Sequence, residues 1–254
     1  MTCAFTEEHY KEIVRAFLSA GYRFTCFSSP EAGRPHRIVM RHDVDLSLRE
    51  ALRMARIEAE MGISAVYHVM VTSDAYNPAT GGSRAIIEEL RSLGHHVGLH
   101  VDAKALFGDG DGRPDAGEAL LSLFSLARLE LGTLDSFSWH RPLTHGMLDG
   151  LPEGRLPAHL PPDAHAMSQS GVFVTRTDSR RVWRTGCVCS EVPSFEGQPL
   201  QLVIHPIWWT TRPATRSEVL RAYLAAEGEA AEDYLCGNLA FVSRRDGRLI
   251  IEGE

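Results

Sequence analysis

The chain has 254 residues, of which 44% are hydrophobic and 23% charged, a composition typical of a globular protein with a full core. Its net charge of −7, without a run of lysine or arginine, argues against a nucleic-acid-binding surface. No stretch is apolar enough for a membrane span, and the first residues lack the pattern of a secretory signal. We therefore expect a cytoplasmic protein whose partners are neither nucleic acid nor membrane.

Segments with helix and strand patterns alternate along the chain. Thr6 is predicted to cap a helix over 7–20, with Ile13, Val14 and Phe17 on one face. RIVMR then reads as a short buried strand, and 45–62 as a second helix. Later strand candidates are SAVYHVMV, HHVGLH, SFSWH, GVFVTRT and LQLVIHP. This alternation predicts parallel strands whose carboxyl ends share one edge, where such folds hold their chemistry.

Two irregular stretches interrupt this pattern. Residues 108–117 resemble the start of a calcium loop but lack its later ligands, so we interpret them as an ordinary loop. Residues 149–167 are rich in proline and glycine, and we predict a long loop covering the functional site. Since neither stretch reads as a domain boundary, one domain over residues 1–254 is expected.

The cysteines give no sign of a disulfide framework. Their number is odd, and they are Cys3, Cys26, Cys187, Cys189 and Cys236. Cys187 and Cys189 form a Cys-x-Cys pair but lack the second pair of a zinc ribbon. We interpret all of them as buried or free thiols in a reducing cytoplasm.

Two carboxylates follow the strand RIVMR. Asp43 and Asp45 are two residues apart, so on an extended backbone their side chains point to the same side. Like charges in this position repel each other unless a cation or a shared proton lies between them. Alternatively, Asp45 caps the next helix while Asp43 pairs with an arginine. This segment alone leaves both interpretations open.

Three imidazoles favour the first interpretation. His100, His140 and His205 each stand at the end of a predicted strand, so they should meet the carboxylates at one edge of the sheet. Histidine nitrogens and aspartate oxygens together suit a divalent metal ion. We expect one such ion, with Zn²⁺ as the default and Co²⁺, Ni²⁺ or Fe²⁺ compatible with the same ligands.

The ordered motifs RHDVD, GHHVGLHVD, SWHRP and LQLVIHPIWW resemble the polysaccharide deacetylase (NodB-homology) family of the carbohydrate esterase type, in its Asp-x-Asp variant branch. The resemblance covers about residues 36–210. It implies a single-domain, distorted parallel (β/α) barrel with fewer than eight strands, within the α/β class. It also implies a metal-dependent hydrolase that removes an acyl group from an amide nitrogen.

The resemblance also implies roles for individual residues. Asp43 corresponds to the general base, Arg141 to the residue that orients the base, and His205 to the general acid that protonates the departing amine. Asp45 and His100 correspond to metal ligands.

One position departs from the family pattern. Where the second motif usually carries another metal-binding histidine, this chain has Lys104, which cannot ligate while protonated. His140 is our leading substitute, and Asp102 is the second choice. Water could instead complete the coordination, or the metal could have been lost.

The substrate is expected to be a small N-acylated molecule such as a cytoplasmic amino sugar. Of Trp208 and Trp209, one should line the pocket and one should pack in the core, and Asp178 either hydrogen-bonds the substrate or forms a turn. The alternative is a catalytically degenerate protein that binds a carbohydrate or a partner protein. Lys104 favours that alternative, whereas the combination of base, orienting arginine and acid disfavours it. The oligomeric state is left open.

Overall fold

The computed structural model describes residues 3–107, 116–140 and 160–252. Its helices are α1 (Glu7–Ser19), α2 (Leu48–Glu60), α3 (Gly81–Ser92), α4 (Ala103–Phe107), α5 (Ala116–Leu131), α6 (Ala164–Gln169), α7 (Val188–Glu191) and α8 (Arg216–Asn238). Its strands are β1 (Arg23–Thr25), β2 (Arg37–Val44), β3 (Val66–Val69), β4 (His96–Asp102), β5 (Phe137–His140), β6 (Val174–Thr177), β7 (Leu200–Ile204), β8 (Val242–Arg245) and β9 (Arg248–Ile251).

A parallel sheet forms the centre of the fold. Within the described residues it has seven strands in the order β5-β4-β3-β2-β7-β6, with β1 paired to the first half of β2. Every pairing in this sheet is parallel, and helices fall between most of its strands. The predicted class, an α/β fold on a parallel sheet of fewer than eight strands, is confirmed.

The chain divides into two compact units, Met1–Thr211 and Arg212–Glu254. The first contains the parallel sheet and the whole motif-bearing segment, 36–210. The second contains α8 and the antiparallel hairpin of β8 and β9. The expectation of one domain over residues 1–254 stays a prediction.

The central strand β2 is buried on both faces. Its apolar residues Ile38, Val39 and Met40 have no exposed surface, as expected for a parallel strand covered on both sides. The strand nevertheless continues through Arg41 to Val44 without becoming exposed, so its charged residues are carried into the interior. Buried charges of this kind must be paired or bind an ion.

The first two helices begin at hydroxyl caps. Thr6 accepts a hydrogen bond from the His9 amide, and Ser47 accepts one from the Glu50 amide. The predicted first helix is confirmed. The alternative in which Asp45 caps the second helix is wrong, because Ser47 performs that role, whereas its second part, the pairing of Asp43 with an arginine, is confirmed by Arg41. Asp45 is therefore left for another function.

One glycine shapes the interior of the sheet. Gly98 on β4 lies opposite His68 on β3, and a Cβ at Gly98 would stand 2.2 Å from the His68 ring. Only glycine therefore lets this imidazole lie across the neighbouring strand. His68 has no exposed surface and therefore belongs to the core.

None of the described helices has the length and apolar character needed to cross a membrane. The predicted loops lie mostly outside the described residues, which omit 108–115 and 141–159.

Candidate active site

The polar side chains collect at the carboxyl edge of the sheet. Asp43 and Asp45 lie at and just beyond the end of β2, and His100 and His140 lie near the ends of β4 and β5. His205 directly follows β7. The sheet order places β2 between β3 and β7, so these strand ends face a common space.

Asp45, His100 and His140 form the tightest group of potential metal ligands. Asp45 Oδ1 lies 3.3 Å from His100 Nε2 and 3.2 Å from His140 Nδ1. The two ring nitrogens are 3.2 Å apart. All three donor atoms lie within 4.8 Å of one another, a spacing that a single cation can span.

The surroundings of these three donors fit a divalent cation. Asp45 Oδ1 is buried and has no hydrogen-bond partner among the residues that the structure describes. His100 Nδ1 is hydrogen-bonded to Ser138 Oγ at 2.7 Å, which leaves Nε2 directed at the other two donors. Burial would raise the pKa of Asp45, but His100 and His140 lower it well below the ordinary value. The carboxylate is therefore ionised and ready to bind a cation.

Asp43 is held by an arginine of its own strand. Arg41 Nε and Nη2 donate to Asp43 Oδ1 and Oδ2 at 2.7 and 2.8 Å, and both side chains are buried. Burial would raise the pKa of Asp43, but the Arg41 guanidinium and then His100 hold it well below its ordinary value. The two-residue spacing was the available sequence signal, because alternate residues of a strand share a face. Arg141, expected to orient this carboxylate, lies outside the described residues.

His205 is oriented by Asp178. Its Nδ1–H donates to Asp178 Oδ1 at 2.6 Å, and its backbone amide also donates to that carboxylate. Nε2 consequently faces the site and lies 3.8 Å from Asp45 Oδ2. Burial lowers the pKa of His205, but Asp178 outweighs it and the pKa rises to about 9. The imidazole is therefore a proton donor at neutral pH.

The substrate contact expected of Asp178 is not found, and Trp209 is the tryptophan that packs in the core. Asp178 has no exposed surface, and its oxygens are occupied by His205 and by the Trp209 indole N–H, which donates to Oδ2 at 2.8 Å. Trp209 itself is fully buried and packs against Phe5 and Tyr10. Both residues position His205 and are not open to substrate. Trp208 is only partly buried, so it stays the candidate for lining the pocket.

Asp102 does not complete the metal site. Its Oδ1 accepts hydrogen bonds from the backbone amides of Lys104 and Ala105 at 2.9 and 3.4 Å, at the start of α4. The Lys104 side chain is exposed. The convergent donors include His140, the leading substitute, and do not include Asp102.

His68 lies next to Asp43 in the interior of the sheet. Its Nδ1 lies 3.8 Å from Asp43 Oδ1, and its Nε2 is hydrogen-bonded to Ser136 Oγ at 2.8 Å. Burial lowers the pKa of His68 well below its ordinary value. A neutral imidazole here adds no charge beside Asp43, so the Arg41 pair stays the main interaction of that carboxylate.

Comparisons with known proteins give distant structural matches. No family model and no curated protein matches the chain. A family 4 acetyl xylan esterase from Clostridium thermocellum, in complex with a cobalt ion, is 13% identical with a TM-score of 0.37, over 76% of this chain and 84% of that one. The Xyl-CE4 domain of a multidomain xylanase from the hindgut metagenome of Trinervitermes trinervoides is 9% identical with a TM-score of 0.38, over 78% and 83%.

A family 4 carbohydrate esterase from Streptomyces lividans, in complex with acetate, is 13% identical with a TM-score of 0.34, over 76% of this chain and 88% of that one. These structures are of the carbohydrate esterase type that the sequence motifs resemble.

Proposed function

We propose that the protein is a metal-dependent hydrolase that removes an acyl group from an amide nitrogen. One observation carries the proposal: the donors of Asp45, His100 and His140 converge between a charged carboxylate, Asp43, and a protonated imidazole, His205. A site with ligands alone would suit binding. The addition of a proton acceptor and a proton donor suits hydrolysis.

The proposed metal ligands are Asp45, His100 and His140. A divalent cation held there would polarise the acyl carbonyl and make an adjacent water molecule more acidic. Zn²⁺ is the first choice for two imidazoles and a carboxylate, and Co²⁺, Ni²⁺ and Fe²⁺ suit the same donors.

Asp43 is the proposed general base. The bidentate contact with Arg41 fixes the carboxylate in one orientation and keeps it ionised. The same contact makes Asp43 a weak base, so it can take a proton only from a water molecule that the site has already made more acidic. The base role of Asp43 therefore depends on the three proposed ligands.

His205 is the proposed general acid, and Asp178 holds it in position. The Nδ1–H bond to Asp178 fixes the ring and directs the Nε2 proton towards the site. An amide needs such a donor more than an ester does, because an amine anion leaves far less readily than an alkoxide. This pair therefore favours an N-acyl substrate over an O-acyl one.

For the substrate we propose a small cytoplasmic N-acylated molecule, with an acetylated amino sugar as the first candidate. Trp208 is partly buried and lies three residues after His205, just beyond the end of β7. Its aromatic face could stack on a sugar ring.

The test uses the purified chain loaded with Zn²⁺ or Co²⁺ and freed of excess metal. Release of the amine is measured from N-acetyl amino sugars, and release of acetate from O-acetyl esters of the same sugars. We expect His205→Gln to reduce amide hydrolysis by about 10²–10⁴-fold, the usual contribution of a general acid, with metal content unchanged. Its effect on an ester with a good leaving group should be much smaller.

Arg34→Gln is a suitable control, because the Arg34 side chain is exposed and forms an ion pair with Glu31 at the surface. If the protein binds one equivalent of metal and binds sugar saturably but hydrolyses no acyl substrate, the hypothesis of a degenerate binding protein is supported instead. If it binds metal under no condition, both the proposed ligands and the proposed hydrolase are wrong.

A further inference from the structure

A second group of metal-binding side chains lies outside the candidate active site. Cys3, His9 and Cys187 offer two sulfurs and one nitrogen that all lie within 4.8 Å of one another. Cys189 adds a third sulfur, 3.1 Å from Cys187 Sγ and 3.9 Å from His9 Nε2. We call these four residues the thiol cluster. The fold thus brings Cys3 and His9, which are distant in the sequence, close to the Cys-x-Cys motif.

We propose that the thiol cluster is a closed zinc site with three cysteine ligands and one histidine ligand. Bonds of about 2.3 Å to sulfur and about 2.0 Å to nitrogen around a tetrahedral ion leave neighbouring donors somewhat under 4 Å apart. His9 Nε2 and Cys189 Sγ lie 3.0 and 3.1 Å from Cys187 Sγ, so these three donors need only small shifts. Cys189 is outside the group of donors that includes Cys3, so its side chain would have to turn towards Cys3. Thiolate-rich sites with four protein ligands are typical of structural zinc.

The other ring nitrogen of His9 supports this assignment. His9 Nδ1 is hydrogen-bonded to Glu12 Oε2 at 2.7 Å, one turn further along α1. A carboxylate in this position fixes the ring and presents Nε2, which is the arrangement found behind many zinc-bound histidines. Because the carboxylate and the three sulfurs lie on opposite sides of the ring, the orientation of His9 serves the cluster and not a surface ion pair alone.

The location suggests what the site stabilises. Cys3 lies in the N-terminal segment, His9 on α1, and Cys187 and Cys189 at the start of α7 in the connection between β6 and β7. That connection leads from Asp178 to the strand before His205. The N-terminal segment also exchanges backbone hydrogen bonds with Thr210, just after that strand. A zinc ion here would join these segments and keep the Asp178–His205 pair in place.

The test compares metal content and spectra of four full-length proteins. Cobalt is the probe, because thiolate ligands give tetrahedral Co²⁺ an intense charge-transfer absorption that imidazole and carboxylate ligands do not give. We expect the unaltered chain to hold two equivalents and to show this absorption. His100→Ala should keep one equivalent and the full absorption. Cys187→Ser combined with Cys189→Ser should lose the absorption and one equivalent, and Cys236→Ser, outside the cluster, should change neither.

His9→Gln covers the case in which the double cysteine variant fails to fold. It should weaken cobalt binding and alter the absorption while all five thiols remain. The proposal is overturned if the reduced, unaltered chain shows no thiolate-to-cobalt absorption, or if thiol titration and mass measurement find a disulfide within the cluster in protein purified under reducing conditions. If the hydrolase proposal alone fails, the unaltered chain should show the thiolate-to-cobalt absorption but hydrolyse no acyl substrate, or should bind only one equivalent of metal.

Discussion

The two faces of β2 carry two buried carboxylate clusters that differ in one respect. On one face, Glu58 of α2 has no exposed surface, and both of its oxygens are occupied. Tyr10 and His42 contact Oε1, His42 at 2.7 Å, and the Tyr67 hydroxyl donates to Oε2 at 2.6 Å. On the other face, Asp45 Oδ1 is buried and makes no hydrogen bond within the described part of the chain. We call these the Glu58 cluster and the Asp45 cluster.

This difference separates a structural role from a ligand-binding one. A buried carboxylate whose hydrogen bonds are all made stabilises the fold and has little left to offer a ligand. A buried carboxylate with an oxygen that makes no hydrogen bond among the described residues, facing two imidazole nitrogens, can still bind a cation. Residue type alone does not separate the clusters, since both combine carboxylate and histidine.

The largest expected effect comes from Asp45→Asn. The substitution removes the only negative charge among the three proposed ligands, so we expect the bound metal to be lost. The value of kcat/KM should fall by about 10³-fold, in line with the several kcal/mol that a catalytic cation supplies. Because His100 and His140 favour the ionised form of Asp45 in the folded state, the metal-free variant should unfold at a somewhat lower temperature than the metal-free parent, but should lose less stability than Glu58→Gln does. Elemental analysis, kinetics and thermal unfolding check these three outcomes. A loss of stability as large as that of Glu58→Gln, with metal still bound, would mean that Asp45 is structural, like Glu58.

Glu58→Gln should have the opposite profile. The amide nitrogen of glutamine cannot accept the hydrogen bonds that one carboxylate oxygen of Glu58 now accepts. The partner of His42 also loses its negative charge. We expect the free energy of unfolding to fall by about 3 kcal/mol, as for other broken buried pairs. Denaturant titration measures this change, and metal content of the folded protein should stay the same. Glu60→Gln, exposed at the end of the same helix, is the matched control and should change stability by less than about 0.5 kcal/mol.

Much of the Asp45 cluster was predictable because its signals are local. Asp43, Asp45, His100, His140 and His205 stand at strand ends, and parallel topology brings strand ends together. Arg41 was also within reach, since strand alternation places it beside Asp43. The part that could not be predicted depends on long-range packing. Asp178 meets His205 only because β6 pairs with β7, and nothing near Asp178 in the sequence indicates that its oxygens are already used.

The same limit applies to the thiol cluster and to the Glu58 cluster. Cys3 and Cys187 come from opposite parts of the chain, so the Cys-x-Cys motif gives no indication of its partners. Glu58 follows the helical pattern of α2 but falls on its buried side, where a sequence pattern would place an apolar residue. Only the positions of Tyr10, His42 and Tyr67 explain its charge there.

Asp178→Asn should have a smaller effect than Asp45→Asn, because it acts through His205. The fold should survive, since Asn keeps the size of the side chain and can still accept one hydrogen bond. We expect kcat for an amide substrate to fall by about 10²-fold, and hydrolysis of an ester with a good leaving group to change little. A purely structural role would lower both rates equally. Trp209→Phe, which removes the indole donor to Asp178 together with part of a buried ring, should lower amide hydrolysis less than Asp178→Asn does.

The smallest effect concerns the pH dependence of stability in the Glu58 cluster. Burial would raise the pKa of Glu58, but His42 and the hydroxyl donors hold it below its ordinary value of 4.5. A carboxyl with a lowered pKa in the folded state stabilises the protein above its unfolded-state pKa, and this stabilisation is lost as pH falls through the folded-state pKa.

The free energy of unfolding should therefore fall more steeply for the unaltered chain than for Glu58→Gln between about pH 5 and pH 3, by about 1.4 kcal/mol for each unit separating the two pKa values. Asp43 and Asp45 also have lowered pKa values, and their effect on the pH dependence of stability is the same in both proteins. The difference between the two curves therefore reports on Glu58. Urea titrations at a series of pH values measure it. Parallel curves would mean that the Glu58 carboxylate gains nothing from its partners, and the distinction between the two faces of β2 would then rest on the Asp45 cluster alone.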